Sequence, residues 1–143
     1  MSTDNTQIPY ERIHVEKALE ARPVIEGEDF SRVAFTPAAL AMVDRLWDRN
    51  GPLMFHQSGG CCDGSTPMCF PDGDFITGDS DVCLGTFDVP GRGELNFWMS
   101  KEQFEYWKHT LLTIDLVDGR GAGFSLETPD GKRFLVRSEM LEA

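Results

Sequence analysis

Apolar positions along this chain follow two rhythms. Ala39, Met42, Val43, Leu46 and Trp47 recur three and four residues apart, which predicts a helix with one buried face. Thr36 suits its N-cap, because a hydroxyl there can accept a free backbone N–H, and Pro37 fits the first helical position. Asn50-Gly51 supplies a left-handed stop and Pro52 prevents resumption. A second, short helix opens at Ser100, with Gln103 three residues on in a capping-box pattern. It buries Phe104 and Trp107 and ends near His109.

Elsewhere the pattern is strand-like. Residues 53–57 form a short apolar run, and further strands are predicted at 75–76, 81–87, 94–98, 111–117, 123–127 and 133–136. Pro90-Gly91-Arg92-Gly93 marks a turn between two of these, and Pro129-Asp130-Gly131 a hairpin between the last two. The N-terminal third is weaker: a polar tail, an amphipathic stretch over 10–22 stopped by Pro23, and an acidic, loop-like segment over 26–31. The expectation is an α+β fold, a mostly antiparallel sheet assembly with two short helices. Residues 1–34 are read as an N-terminal extension and 35–143 as one domain.

Composition narrows the function classes. Thirteen Lys and Arg stand against 24 Asp and Glu, a formal net charge of -11. Such a field repels phosphate backbones and anionic lipid surfaces, so neither nucleic acid nor membrane is an expected partner. Residues 1–12 are polar, without the apolar core of a signal peptide, and no stretch reaches the length of a membrane span. A cytoplasmic location is expected, and there four cysteines read as structural thiols, redox thiols or metal ligands rather than as disulfides.

The chemistry gathers in one loop, Ser58-Gly59-Gly60-Cys61-Cys62-Asp63-Gly64-Ser65. Its glycines permit backbone conformations closed to other residues. Cys61, Cys62 and Cys69 fall within nine residues, and thiolates are the soft ligands that zinc, iron and iron–sulfur clusters prefer. His56 precedes the loop, placed to add an imidazole ligand or to act as a base. The candidate metal site is therefore Cys61, Cys62, Cys69 and His56, for zinc or iron. Cys83, in Asp81-Val82-Cys83-Leu84, reads as a small buried hydrophobe. Asp72, Asp74, Asp79 and Asp81 lack calcium-loop spacing and read as solvated surface. No Ser-His-Asp arrangement is visible in the sequence.

The run from Gly51 to Ser65, with Pro67-Met68-Cys69, Tyr106-Trp107-Lys108-His109-Thr110 and Gly123-Phe124-Ser125-Leu126-Glu127, resembles a family of short bacterial proteins classed as a domain of unknown function. Members are often encoded beside NAD-dependent aldehyde dehydrogenases. The resemblance implies an accessory role with an aldehyde dehydrogenase or related oxidoreductase as partner. More distantly, the order of elements is similar to the HesB-like, A-type iron–sulfur carrier fold, whose Gly-Gly-Cys-Ser-Gly loop is matched by Gly59-Gly60-Cys61-Cys62-Asp63-Gly64. Those carriers complete their cluster site with a C-terminal Cys-Gly-Cys, and this chain has no cysteine after Cys83, which disfavours a standard cluster.

The leading expectation is thus a non-catalytic accessory protein that holds a metal ion through its Gly-Cys loop. A thiol-based enzyme or aldehyde scavenger using a loop cysteine, with His56 as base, is the alternative. A metal-free docking module is a third. A homodimer is compatible with a sheet protein of this size.

Overall fold

The computed structural model describes residues 15–59, 65–120 and 124–141. Its elements run β1 (Leu19–Glu20), β2 (Val33–Phe35), α1 (Pro37–Asn50), β3 (Leu53–Gln57), β4 (Met68–Pro71), β5 (Asp81–Val89), β6 (Gly93–Ser100), α2 (Lys101–Trp107), β7 (Thr110–Asp118), a 3-10 turn (Thr128–Asp130) and β8 (Lys132–Met140). None of its helices is long and apolar enough to cross a membrane.

The helices obey their local signals. Thr36 Oγ1 accepts from the Ala39 N–H at 3.1 Å, while Ala39, Met42, Val43 and Leu46 form the buried face of α1. Gly51 ends it at φ 77°, its N–H on the Trp47 carbonyl. Ser100 Oγ caps α2 by accepting from the Gln103 N–H at 3.1 Å.

The strands form two four-stranded sheets, ordered β1-β2-β7-β8 and β4-β3-β6-β5. Each has antiparallel outer pairs around a parallel central pair, β2 with β7 and β3 with β6. The fold is α+β as expected, but both sheets are mixed. The strands of each parallel pair are not consecutive in the chain: α1 carries it from β2 in one sheet to β3 in the other, and α2 returns it from β6 to β7.

The sheets bury one core between them. Phe35 of the first stacks on Phe87 of the second at 4.0 Å between ring centroids. Phe134 meets Phe55 edge-on at 4.9 Å, and Phe55 lies 5.6 Å from Phe97.

Several expectations change. Residues 75–76 are loop, not strand, and residues 124–127 form turns, Gly123 lying outside the described residues. The partner of β8 is β7, paired from Thr110↔Met140 to Asp118↔Lys132, so Pro129-Asp130-Gly131 only leads into β8. Strands β2 and β4 went unforeseen because each is a run of three or four residues with no alternation to mark it. The boundary expected at residue 34 falls inside β2. Of the 10–22 stretch, residues 10–14 lie outside the described residues and the remainder includes the extended β1.

Residues before that boundary are built into the sheets. Ala21 and Val33 belong to the core cluster, and Arg22 forms a bridge with Thr86 of β5. The close approach needs Gly85, where an added Cβ would sit 2.7 Å from the Ala21 Cβ. Arg32 is buried, held bidentate by Glu28 and donating to the carbonyls of Lys108 and Thr110.

Candidate functional site

Strand parity decides which chemical groups can meet. Successive side chains of β3 point to opposite faces, and Phe55 points into the core. His56 therefore faces the outer side of its sheet. It lies in register with Met68 of β4 and Trp98 of β6, and Trp98 lies opposite Cys83 of β5. The loop between β4 and β5 covers this face, stacking Phe75 on the imidazole at 4.1 Å. His56 is only 3% exposed as a result.

A buried imidazole needs partners at both nitrogens. Nε2 lies 2.8 Å from Asp81 Oδ1, and Nδ1 lies 2.6 Å from Ser58 Oγ. The hydrogen bond from His56 holds the Asp81 carboxyl below its ordinary value, with further help from the Gly78 N–H on Oδ2 at 3.0 Å. An ionised carboxylate only accepts, so the imidazole in its neutral form carries its proton on Nε2 and presents Nδ1 as acceptor to the Ser58 hydroxyl. The result is a hydrogen-bonded chain from half-buried Asp81 through buried His56 to exposed Ser58. This corrects two sequence readings. A Ser-His-Asp arrangement exists, and Asp81 leaves the solvated acidic group to which Asp72, Asp74 and Asp79 belong.

Cys69 lies elsewhere. It pairs with Phe55, shares the inward pleat, and is fully buried between the sheets. Its N–H donates to Ser125 Oγ at 2.8 Å and its carbonyl accepts from the Leu126 N–H at 3.0 Å. Ser125 Oγ in turn donates to buried Glu127 at 2.5 Å. Burial, and secondarily the Glu127 carboxylate, push the Cys69 thiol well above its ordinary value, so it stays protonated. His56 and Cys69 thus occupy opposite faces of one sheet and are not brought together. Cys83 is half-buried on the outer face, its thiol 3.5 Å from the Gly85 carbonyl and also raised by burial.

Cys61 and Cys62 lie outside the described residues, in the segment 60–64. Its two flanks are held. On one side Gln57, fully buried, donates to the Gly59 carbonyl, and on the other the Ser65 carbonyl accepts from Val136 N–H at 2.8 Å. Thr66 Oγ1 accepts from Arg133 at 2.9 Å. Among the described residues no group of three His, Cys, Asp or Glu side chains could hold a metal ion.

Sequence reasoning singled out His56 and the loop but not the Asp81, Ser58 and Phe75 that surround the imidazole. Asp81 stands 25 positions from His56, separated from β3 by an intervening strand, so no local spacing announces the pair. Ser58 was within reach of sequence reasoning, two residues beyond a histidine at a strand end.

Fold and site together define an α+β protein of two mixed sheets, with a carboxylate-held histidine at the root of a cysteine-bearing glycine loop. The chain belongs to the family described as Domain of unknown function (DUF779), whose model matches residues 42–140. No curated protein and no solved structure gives a significant match.

Proposed function

We propose that the protein is an accessory partner of an aldehyde dehydrogenase or related oxidoreductase, and that its working site is the Gly-Cys loop served by His56 as base. One observation carries the site: Asp81 fixes the imidazole so that its Nδ1 lone pair points to Ser58 at the start of the loop. Cys61 and Cys62 follow Ser58 by three and four residues in the sequence, a chain reach of at most about 10–14 Å. The partner rests on the resemblance of residues 51–65 to proteins encoded beside aldehyde dehydrogenases.

The chemistry would be addition to an aldehyde. A loop thiol gives its proton to His56, and the sulfur attacks the carbonyl carbon. The carbonyl π pair moves to oxygen, which takes the proton back from the imidazolium. A hemithioacetal results, with no oxidant needed, and the aldehyde is held or passed on. The test is alkylation of the full chain with iodoacetamide across pH. One loop cysteine should react fast near neutrality, and His56→Gln should slow it to the rate of an ordinary thiol. If every thiol already reacts at that ordinary rate, the base reading fails.

A second reading keeps a metal at the same place. Metal-bound histidines usually give their other nitrogen to a carboxylate, as His56 gives Nε2 to Asp81. Cys61, Cys62 and Nδ1 of His56 would then hold zinc or iron, with Ser58 turned aside and Cys69 excluded by its place in the core. Elemental analysis of untagged protein tests this, stoichiometric metal being expected. A distant HesB-like kinship is part of the same proposal, supported by the order α1, β3 and Gly-Cys loop, with α2 and β7 following after β4, β5 and β6.

A further inference from the structure

We infer that Ser58 is itself a nucleophile, and that the Ser58–His56–Asp81 chain is an acyl-transfer site for small neutral carboxylic esters. The inference rests on the reading of His56 as a base and assigns it a second client besides the loop thiols. Three geometric requirements of a nucleophilic serine are met. The hydroxyl lies 2.6 Å from the base nitrogen, and the opposite ring nitrogen lies 2.8 Å from a carboxylate. That carboxylate is fixed in turn by the Gly78 N–H at 3.0 Å. Phe75 stacked on the ring shields the base, while Ser58 is exposed to incoming substrate.

The nitrogens exchange their common roles for a reason visible in the chain. Ser58 is two residues from His56 and meets the near nitrogen, Nδ1. Asp81 lies across β6 and meets the far one, Nε2. Either nitrogen can serve, because the orienting carboxylate decides which carries the proton. The net charge of -11 disfavours anionic substrates, which is why neutral esters are the expected class.

The steps balance without a co-reactant other than water. Ser58 Oγ passes its proton to Nδ1 and bonds to the ester carbonyl carbon. The ester C–O bond breaks, and the departing alkoxide takes the proton from Nδ1. Water then attacks the acyl-serine, gives a proton to Nδ1, and releases the carboxylic acid as Oγ recovers its hydrogen.

The experiment treats the full-length protein with a fluorophosphonate probe, maps the adduct by peptide fragmentation, and follows p-nitrophenyl acetate hydrolysis in parallel. An adduct on Ser58 is expected in folded but not in denatured protein. It should vanish in Ser58→Ala, whose fold is verified by circular dichroism and thermal melting because the change takes one partner from the buried His56. In Asp81→Asn labelling should slow by about 100-fold or more. Folded wild-type protein without a Ser58 adduct, or one that labels equally after denaturation, overturns the inference. The base reading is judged separately by the His56 dependence of thiol alkylation. Loss of the Ser58 adduct with that dependence intact sinks only this inference.

Discussion

Replacing Asp81 by Asn changes one atom and removes a charge, yet the geometry makes it a demanding substitution. Both carboxylate oxygens accept hydrogen bonds, Oδ1 from His56 and Oδ2 from the Gly78 N–H. An asparagine has one acceptor to offer. If its carbonyl serves His56, its NH2 group confronts the Gly78 N–H. If its NH2 serves His56, the imidazole must move its proton to Nδ1 and stop accepting from Ser58. Gly78 is exposed and its N–H can turn to water, whereas His56 is buried and cannot. The first arrangement should prevail. What is lost is the Gly78 bond and the charge assistance on His56, together about 1.5–3 kcal/mol. For a domain of this size that lowers the melting temperature by roughly 5–12 °C.

The acid limb sharpens the test. The folded Asp81 carboxyl sits below its ordinary value of 3.8, chiefly through the His56 hydrogen bond. Its contribution is therefore complete above the unfolded value and is lost as pH falls through the folded one. Thermal melts from pH 7 down to pH 3 should show that the variant loses less stability than the wild type over the lowest part of the range. Imidazole 15N spectra should keep the proton on Nε2. An unchanged melting temperature with an unchanged acid limb would refute the account of Asp81 as the group that holds His56.

Other consequences are read more briefly. Arg32→Ala strands Glu28 in a partly buried setting and frees two carbonyls, and should cost about 3–5 kcal/mol by denaturant unfolding, showing that residues before 35 carry part of the domain's stability. Cys69→Ser places a second hydroxyl between the sheets and should destabilise by about 1–3 kcal/mol, while iodoacetamide kinetics at the loop cysteines stay as in the wild type. Burial raises the Glu127 carboxyl above its ordinary 4.5, so its contribution to stability is full below that value and declines as pH rises through the folded one. Glu127→Gln should abolish that decline in melts taken between pH 4 and 7.

Much of the scaffold is written locally. The start and stop of α1 depend on Thr36, Pro37 and Gly51, whose hydrogen bonds reach only three or four residues along the chain. The cap of α2 and the runs that became β3, β6 and β7 are equally local, so periodicity alone reveals them. His56 stood out for the same reason, next to a loop rich in glycine and cysteine.

Pairing between distant strands lies beyond such signals. The register Phe55↔Cys69 puts Cys69 on the inward pleat and leaves His56 on the outward one. A one-residue shift would have reversed this, and no neighbour in sequence determines it. The same pairing of sheets brings Asp81 across β6 to Nε2 of His56 and sets β7, not residues 123–127, beside β8. Sequence by itself therefore determined the helices, several strands and the loop that concentrates the thiols. Tertiary structure alone decided which of those groups face one another, because side-chain parity is a property of strand register and register forms only when remote segments meet.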